Sequence, residues 1–437
     1  MTGSVSRRMV VVVRADPVIC GHSVEARNLA EAALGQGFDE VRIVTWPVDI
    51  LVAAGLPLKP SDAVLPYSPG IVVERPDPVG DHRVPDGRFV AGLTGRLVEL
   101  FTDGVPTVAV SLYLSPHALA VAEARRIAAG TGLPVPVTTI AEAVGSDITN
   151  VVRSSVAQGR YGAAAHVLGG YLDHDGCLAV SEFTRESIIA AAARVDAHLG
   201  TRYAERCRER VAVSYPAIDV AAYVELDPAG TEAALRRRGL RPGGYVLFLS
   251  RLSRAKGVDD LIDGFAISRA RADLDLVIAG DGPDARLFRA WAAESGAADR
   301  IIFLDDVGDA EKPRLLAGAA AFVLPSKPRP DFVETFGIAL VEKMLAGGGP
   351  VITTDTGGIR EAVGDTALIV PPGDPRAIAD ALDLVAYRLT ERERQERELR
   401  ARAHAVQFDR AIVLERMLRR VAPPDELRLA GAAPGTP

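Results

Sequence analysis

Short, unbroken apolar runs alternate with longer helical stretches, twice over, along most of this chain. That alternation limits the fold more than any other feature. Met9–Val13, Val41–Thr45, Thr107–Ser111, Val135–Thr139, Cys177–Val180 and Val211–Ser214 read as strands. They are short and largely apolar at consecutive positions, as strands covered on both faces of a parallel sheet are. Helical patterns lie between them, the first from about Ser23 to Leu34 after a loop from Arg14 to Gly21. The alternation restarts at Tyr245–Ser250 and runs through Leu274–Ala279, Ile301–Leu304, Ala321–Leu324, Val351–Thr353 and Ala367–Val370. Such alternation builds doubly wound α/β domains. Two Rossmann-like domains facing a central cleft are expected, with ligands at the carboxyl ends of the strands.

The boundaries follow from composition. Residues 1–217 make the first domain, 218–242 a polar linker and 243–390 the second domain. The Arg- and Glu-rich stretch 391–421 is expected to form helices that pack back toward the first domain, and the Pro/Gly/Ala-rich tail 422–437 to be disordered. Trp46–Arg88, dense in Pro, Gly and Asp, is an irregular excursion near the cleft. A formal charge of -7 argues against a general nucleic-acid binder. Cys20, Cys177 and Cys207 have neither metal-ligand spacing nor even pairing, which suits a reducing cytosol. The opening apolar run is shorter than a signal-peptide core, and no run is long enough to span a membrane. A cytoplasmic chain without an integral membrane segment is expected. The mixed charges of the Arg-rich stretch read as a solvated face rather than a membrane surface. The oligomeric state stays open, a homodimer included.

Within the second alternation, Asp331–Pro350 breaks the apolar pattern. A buried helix from about Phe336 to Ala346 is expected, capped by Thr335 and stopped by Gly347-Gly348-Gly349-Pro350. Glu334 precedes it. Glu342 lies inside it, one turn from the small Ala339 and Ala346, which leave room for a ligand beside a carboxylate that is costly to bury alone. The N–H groups of Phe336, Gly337 and Ile338 would form an anion site. By itself this spacing also fits a buried helix with a salt-bridged Glu342. Arg251 and Lys256, in Ser250–Gly257 after a strand, suit phosphate oxygens, and equally an ordinary basic loop. Gly280-Asp281-Gly282-Pro283 reads as a tight structural turn. So does Asp173-His174-Asp175, despite its metal-binding form.

Taken together, RLSRAKG (251–257), VIAGDGP (277–283), FVETFGIALVEKMLAGGGPVI (332–352) and TGGIRE (356–361) resemble the retaining GT-B glycosyltransferases of family four, over nearly the whole chain. Glu334 and Glu342 match the family's Glu-x7-Glu pair. The resemblance implies that Arg251 and Lys256 neutralise a donor diphosphate, and that Glu334 holds sugar hydroxyls. It implies that Phe336, Gly337 and Ile338 contact sugar and phosphate, that Glu342 takes the nucleotide ribose, and that Gly21 closes onto the diphosphate. Arg251, Lys256 and Glu334 are the implied catalytic residues. No metal or cofactor is implied, the nucleotide-sugar being a co-substrate. In this family the nucleotide base lies near the loop Asp305-Asp306-Val307. A carboxylate there suits the paired donors of guanine, so GDP and UDP both stay open.

Many relatives carry a His where this chain has Glu142, read here as lying after its strand. Its loss puts recognition of an ordinary hexose in doubt and points to an unusual donor or acceptor. A cationic or polyhydroxylated acceptor would fit Glu142, as would a surface role. His22, Tyr113, Glu142 and Arg160 are the acceptor-side candidates, with Ser111, His117 and Arg153 nearby. The expected activity is retaining, hexosyltransferase-like transfer from a GDP- or UDP-linked sugar to a small-molecule acceptor. The Ala/Arg/Gly-rich composition resembles that of a high-GC actinobacterium, and the excursion after Trp46 with the missing His suggests a small-molecule acceptor of secondary metabolism, as for antibiotic-type glycosyltransferases of aminoglycoside or lincosamide pathways. The alternatives are a sucrose- or trehalose-type synthase and a non-transferring epimerase or phosphorylase on the same fold.

Overall fold

The computed structural model describes residues 7–79, 85–330 and 332–421. The tail expected to be disordered, 422–437, lies outside them, as does Asp331. The described residues gather into two units. One runs through Leu56, Tyr67–Ala217 and the segment from Arg410. The other comprises Pro57–Pro66 and Ile218–Asp409.

The first unit is built on seven parallel strands: β1 (Arg8–Val12), β2 (Glu40–Val44), β3 (Ile71–Glu74), β4 (Thr107–Leu112), β5 (Val137–Ala143), β6 (Gly176–Ala179) and β7 (Val211–Val213), in the order β3-β2-β1-β4-β5-β6-β7. β1 shows why its sequence is apolar throughout. Met9 and Val11 join a core with Ala26 and Leu29 of the Gly21–Leu34 helix and with Val413, Leu414 and Met417. Val10 and Val12 point to the other face, into a core with Phe89, Leu93 and Leu97. Both faces are covered, as a parallel sheet requires. β1 has β2 on one side and β4 on the other, so the loops after β1 and β4 diverge at the topological switch point where such sheets bind ligands.

The second unit has six parallel strands: β8 (Tyr245–Leu249), β9 (Asp275–Ala279), β10 (Ile301–Leu304), β11 (Ala321–Leu324), β12 (Val351–Thr353) and β13 (Leu368–Ile369), in the order β10-β9-β8-β11-β12-β13. Its switch point lies between β8 and β11, and the loops that follow those two strands carry most of the candidate residues.

Four boundaries differ from the sequence expectation. Residues 218–242 are not a linker. The Ala221–Val224 and Pro228–Arg237 helices pack in the second unit, where Tyr223 and Leu235 are buried. The stretch 391–421 divides. The Glu391–Ala405 helix stays with the second unit, Arg402 donating to the Leu345 carbonyl at 3.0 Å, and only Arg410–Val421 joins the first. The excursion after Trp46 contains β3, and Pro57–Pro66 within it belongs to the second unit through contacts such as Lys59 Nζ to Asp309 at 2.6 Å. β5 runs on to Ala143, which places Glu142 inside the sheet rather than after it.

Candidate active site

The loop after β8 is held from below by the turn after β9. Leu252 N–H donates to the Asp281 carbonyl at 2.9 Å, and Asp284 N–H donates to the Leu252 carbonyl at 3.2 Å. Gly280–Pro283 therefore supports the basic loop and is structural. Gly257 ends the loop at φ 71°, and a Cβ there would stand 2.1 Å from the Pro325 carbonyl oxygen. Only glycine lets this backbone close onto the loop after β11. The Lys327 N–H bond to the Ala255 carbonyl, 2.9 Å, fastens the same approach.

That approach brings Lys256 to Glu334. The ammonium lies 2.5 Å from Oε2, both side chains are nearly buried, and the Ser326 hydroxyl donates to the same oxygen at 3.4 Å. The Phe332 ring covers Lys256 Nζ, 4.8 Å from its centroid. Gly358 N–H donates to the Glu334 carbonyl at 2.9 Å, which fixes the backbone from the loop after β12. Arg251 is exposed, and no carboxylate pairs with it among the described residues. A cationic loop thus faces a carboxylate that already has a cation of its own.

The helix after Glu334 starts later than expected. Its span is Ile338–Ala346, with Gly337, which has no side chain to cap with, as N-cap at φ 98°. Gly337 takes a left-handed conformation that interrupts the helix. The Phe336 ring is buried and packs edge-on against Phe408, 5.1 Å between centroids. The amides free of an intrahelical partner start at the N-cap, Gly337, and include those of Ile338 and Ala339, while Leu340 N–H bonds back to the Gly337 carbonyl at 3.0 Å.

Glu342 is buried and already engaged. Lys312 Nζ donates to its Oε1 at 2.6 Å, and the Tyr223 hydroxyl donates to that same oxygen at 2.7 Å. Burial, then the Glu342 charge, pushes the Tyr223 hydroxyl well above its ordinary range, so it stays a proton donor. Beside Glu342, Lys343 is fully buried. Its ammonium reaches the carbonyls of Leu316 at 2.7 Å, Gly347 at 2.7 Å and Ala319 at 3.1 Å. Burial lowers its pKa to about 7, although three carbonyl acceptors match the three donors of an ammonium. The sequence reading missed Lys312, Tyr223 and Lys343. A lysine in an apolar helix, just ahead of three glycines, was the available signal for Lys343.

Asp305, Asp306 and Val307 follow β10, the outer strand, two positions from β8. Both carboxylates are exposed and paired with arginines, Asp305 to Arg289 at 2.9 Å and Asp306 to Arg238 at 2.8 Å. The structure does not join them to the Lys256–Glu334 pair.

In the first unit, Gly21 and His22 are the first two residues of the Gly21–Leu34 helix, so the expected glycine loop is helical there. Gly21 is exposed. Tyr113, after β4, has φ 96°, a strained value for a non-glycine residue. Its ring lies 5.6 Å from His22 and 5.4 Å from the Arg14 guanidinium, and its N–H donates to the Glu142 carbonyl at 3.1 Å. Glu142 is fully buried and faces a partner the sequence did not suggest, Glu25. Among the described residues, three of the four carboxyl oxygens in this pair have no donor: Glu25 Oε1 and both of Glu142. Burial, then the Glu25 charge, pushes Glu142 well above the carboxylate range, and burial pushes Glu25 up to about 7. Two facing buried carboxyls cannot both ionise, so the pair shares a proton. A surface role for Glu142 is excluded by its burial.

The same switch point holds Asp147, which accepts from the backbone N–H groups of Leu114 at 3.0 Å, Gly145 at 2.9 Å and Ile148 at 2.9 Å. His117 accepts from Trp46 Nε1 at 3.1 Å, and burial lowers its pKa to about 3, so it is neutral. Burial alone would push the Cys20 thiol up, but the His22 hydrogen bond pulls it down to about 6. Arg160 is exposed before the Tyr161–Leu172 helix, and no contact joins it to this cluster among the described residues. Asp175 ties Thr139 N–H at 2.8 Å and Arg125 at 3.0 Å, a structural clip.

Two doubly wound parallel sheets, the second with a cationic loop and a carboxylate-bearing helix at its switch point, define a class: the fold is that of the GT-B glycosyltransferases. The chain resembles HepE of Anabaena, solved with UDP and glucose, at TM-score 0.68 and 18% identity over 94% of this chain and 98% of that one, a likeness of fold. Residues 237–402, the segment that carries Arg251 to Glu342, match the family of glycosyl transferases group 1. A GDP-mannose-dependent alpha-(1-6)-phosphatidylinositol monomannoside mannosyltransferase of Mycobacterium tuberculosis is 34% identical over 209 residues, 46% of this chain and 52% of that one. A 2-deoxystreptamine glucosyltransferase of Streptomyces kanamyceticus is 31% identical over 160 residues, 36% of this chain and 40% of the relative. The chain thus spans about half, or less, of the length of these relatives. No helix among the described residues is long and apolar enough to cross a membrane.

Proposed function

We propose that the protein is a retaining glycosyltransferase, hexosyltransferase-like, that moves a sugar from a UDP- or GDP-linked donor to a small-molecule acceptor without a metal. The observation that carries this reading is the nearly buried Lys256–Glu334 pair beside the unpaired Arg251. The two partners satisfy each other. A donor diphosphate draws Lys256 and Arg251 to its oxygens, which releases Glu334 to accept hydrogen bonds from sugar hydroxyls. The same two cations then act on the charge that develops on the leaving phosphate as the anomeric C–O bond breaks. The first-turn amides from Ile338, at the positive end of the helix, add to that field. The acceptor hydroxyl attacks on the leaving-group face, and the departing phosphate takes its proton. Glu342 accepts from the nucleotide ribose.

On the acceptor side, His22 and Tyr113 are the contributors this reading keeps. Glu142 carries a shared proton, so it does not serve as the counter-charge of a cationic acceptor. The GDP-mannose dependence of the Mycobacterium tuberculosis relative supports a GDP-linked donor, the 2-deoxystreptamine acceptor of the Streptomyces kanamyceticus relative supports a small-molecule acceptor of the kind found in antibiotic biosynthesis, and a cytoplasmic site of action accords with nucleotide-sugar supply. Calorimetry with UDP and GDP, without added metal, tests the proposal. One of the two is expected to bind, and Arg251→Ala is expected to weaken it by about tenfold or more, the size of a charge-assisted hydrogen bond. Unchanged binding in that variant would show that the donor site lies elsewhere.

A further inference from the structure

Glu342 presents its two carboxylate oxygens very unequally. Oε1 accepts from Lys312 Nζ at 2.6 Å and from the Tyr223 hydroxyl at 2.7 Å, which fills its two lone-pair directions. Among the described residues, Oε2 carries no hydrogen bond and Glu342 has no further partner. Both donors are fixed from outside the helix. Tyr223 is buried on the short Ala221–Val224 helix, and Lys312 opens the Lys312–Gly318 helix with its ammonium 5.7 Å from the Tyr223 ring centroid. The opposite side of Glu342 is held too, because the next residue, Lys343, clamps the same Lys312–Gly318 helix through the Leu316 and Ala319 carbonyls. The carboxylate is therefore braced on both flanks and cannot turn without breaking a buried ion pair.

A ribose offers a vicinal diol. Against a free carboxylate, such a diol spans the edge, one hydroxyl on each oxygen. Here only one oxygen is open. We infer that Glu342 holds a single ribose hydroxyl in this protein, so that the donor site accepts 2′-deoxynucleoside diphosphates nearly as well as their ribose counterparts. This inference rests on the donor-site reading above and deepens it, because Lys312 and Tyr223 become specificity-determining residues of that site. When either hydroxyl is deleted from the diol, the other remains to meet Oε2. The hydrogen bond that a second oxygen would have lost does not exist to be lost.

Calorimetric titration of the full-length protein with UDP, dUDP, GDP and dGDP tests this directly. For the base that binds, the ribo and deoxy forms are expected within about threefold of each other, well under the roughly tenfold or greater loss that follows removal of a hydrogen bond to a charged group. The double variant Tyr223→Phe/Lys312→Met frees Oε1, and the preference for ribose is then expected to rise to about tenfold. Tyr223→Phe alone keeps the Lys312 ion pair, guards against loss of folding in the double variant, and is expected to fall between. A wild-type preference for ribose of tenfold or more overturns the inference and leaves the glycosyltransferase reading standing. A flat ratio in the wild type that stays flat in both variants also overturns it, since Lys312 and Tyr223 would then not be the cause. If none of the four nucleotides binds the wild-type protein, the donor-site reading itself falls, and this inference with it.

Discussion

Each unit of the molecule holds a pair of buried acidic side chains at its sheet's switch point, and the two pairs are neutralised in opposite ways. In the second unit, Glu334 and Glu342 each have a lysine, Lys256 at 2.5 Å and Lys312 at 2.6 Å. In the first unit, Glu25 and Glu142 face each other with no cation bonded to either, three of their oxygens lack a donor among the described residues, and only the nearby His22 charge acts on Glu25. Isolated charges are too costly to bury, so an acid is either matched by a cation or kept protonated. The first solution leaves charge in place for a ligand to rearrange. The second removes charge and makes the site depend on pH. A polar ligand that carries its own anion, such as a diphosphate, can exchange with the first kind of pair and not with the second.

The sharpest break in that contrast is to take the cation from one pair. Lys256→Ala leaves Glu334 nearly buried without its partner, a state that typically costs about 3–5 kcal/mol. On the proposed reading it also removes a cation from the leaving-group phosphate. Turnover is expected to fall by about a hundredfold or more, measured as release of nucleoside diphosphate, together with a lower melting temperature. Turnover within a few-fold of wild type would mean that Lys256 only balances Glu334.

Lys343 extends the comparison, because this buried cation faces carbonyls instead of a carboxylate. Lys343→Met keeps the volume and strips one partner from each of three carbonyl oxygens. Each buried acceptor left short of a bond costs about 1–3 kcal/mol, and the joint loss is expected near the lower end of their sum because backbone groups relax. Chemical denaturation measures it. The sign of the pH effect is distinctive. Lys343 is lowered to about 7 from 10.5, so between those values the unfolded chain binds more protons, and this group makes stability rise with pH. The variant is expected to lose that rise.

How much of this was legible beforehand depended on what each residue type announces. Continuous apolar runs announced the interior strands. β3 did not stand out, because it is four residues long, edge-lying and half exposed among prolines. β5 was cut short at Thr139 because Glu142 resembles a loop residue, whereas protonation lets it stay in the strand. Glu25 was invisible, since a glutamate on an amphipathic helix normally marks the wet face. In the second unit the Glu-x7-Glu spacing exposed both carboxylates, and the loop Arg251–Gly257 exposed their basic neighbour. The partners of Glu342 did not show, because Lys312 and Tyr223 are 30 and 119 positions away in the chain and only the fold joins them. The start of the Ile338–Ala346 helix was misplaced because Gly337 was counted as helical instead of left-handed.

The pair held by a proton can be tested more gently. Glu25 is raised to about 7 from 4.5, and Glu142 is raised well above 4.5. Above pH 4.5 the folded protein therefore holds protons that the unfolded chain has released. Stability from this pair is greatest at and below pH 4.5 and declines as pH rises to 7 and beyond, by at most about 1.4 kcal/mol per pH unit for each proton. Glu142→Gln supplies a permanent donor to Glu25 in place of the shared proton. Melting temperatures from pH 5 to 8 are expected to fall less steeply in this variant than in the wild type. Equal slopes would mean that the two carboxyls are not sharing a proton.

The smallest effect is expected where acids are paired in water. Asp305 and Asp306 lie at the end of the outer strand β10, each matched by an arginine, with side chains 64% and 67% exposed. Exposed ion pairs contribute about 0–1 kcal/mol, so Asp305→Asn and Asp306→Asn should each shift stability by no more than about 0.5 kcal/mol. Their effect on ligands separates two sources of base selectivity. A guanine read by either carboxylate would lose a charge-assisted bond, and GDP affinity would drop about tenfold while UDP affinity held. The arginine pairs argue for the other outcome, because a carboxylate already bound by Arg289 or Arg238 gains little by exchanging that partner for a base edge. Neither variant is expected to change GDP or UDP affinity by more than about twofold. On that result, selectivity for the base would rest on groups nearer the second sheet's switch point, where the buried acids keep their lysines.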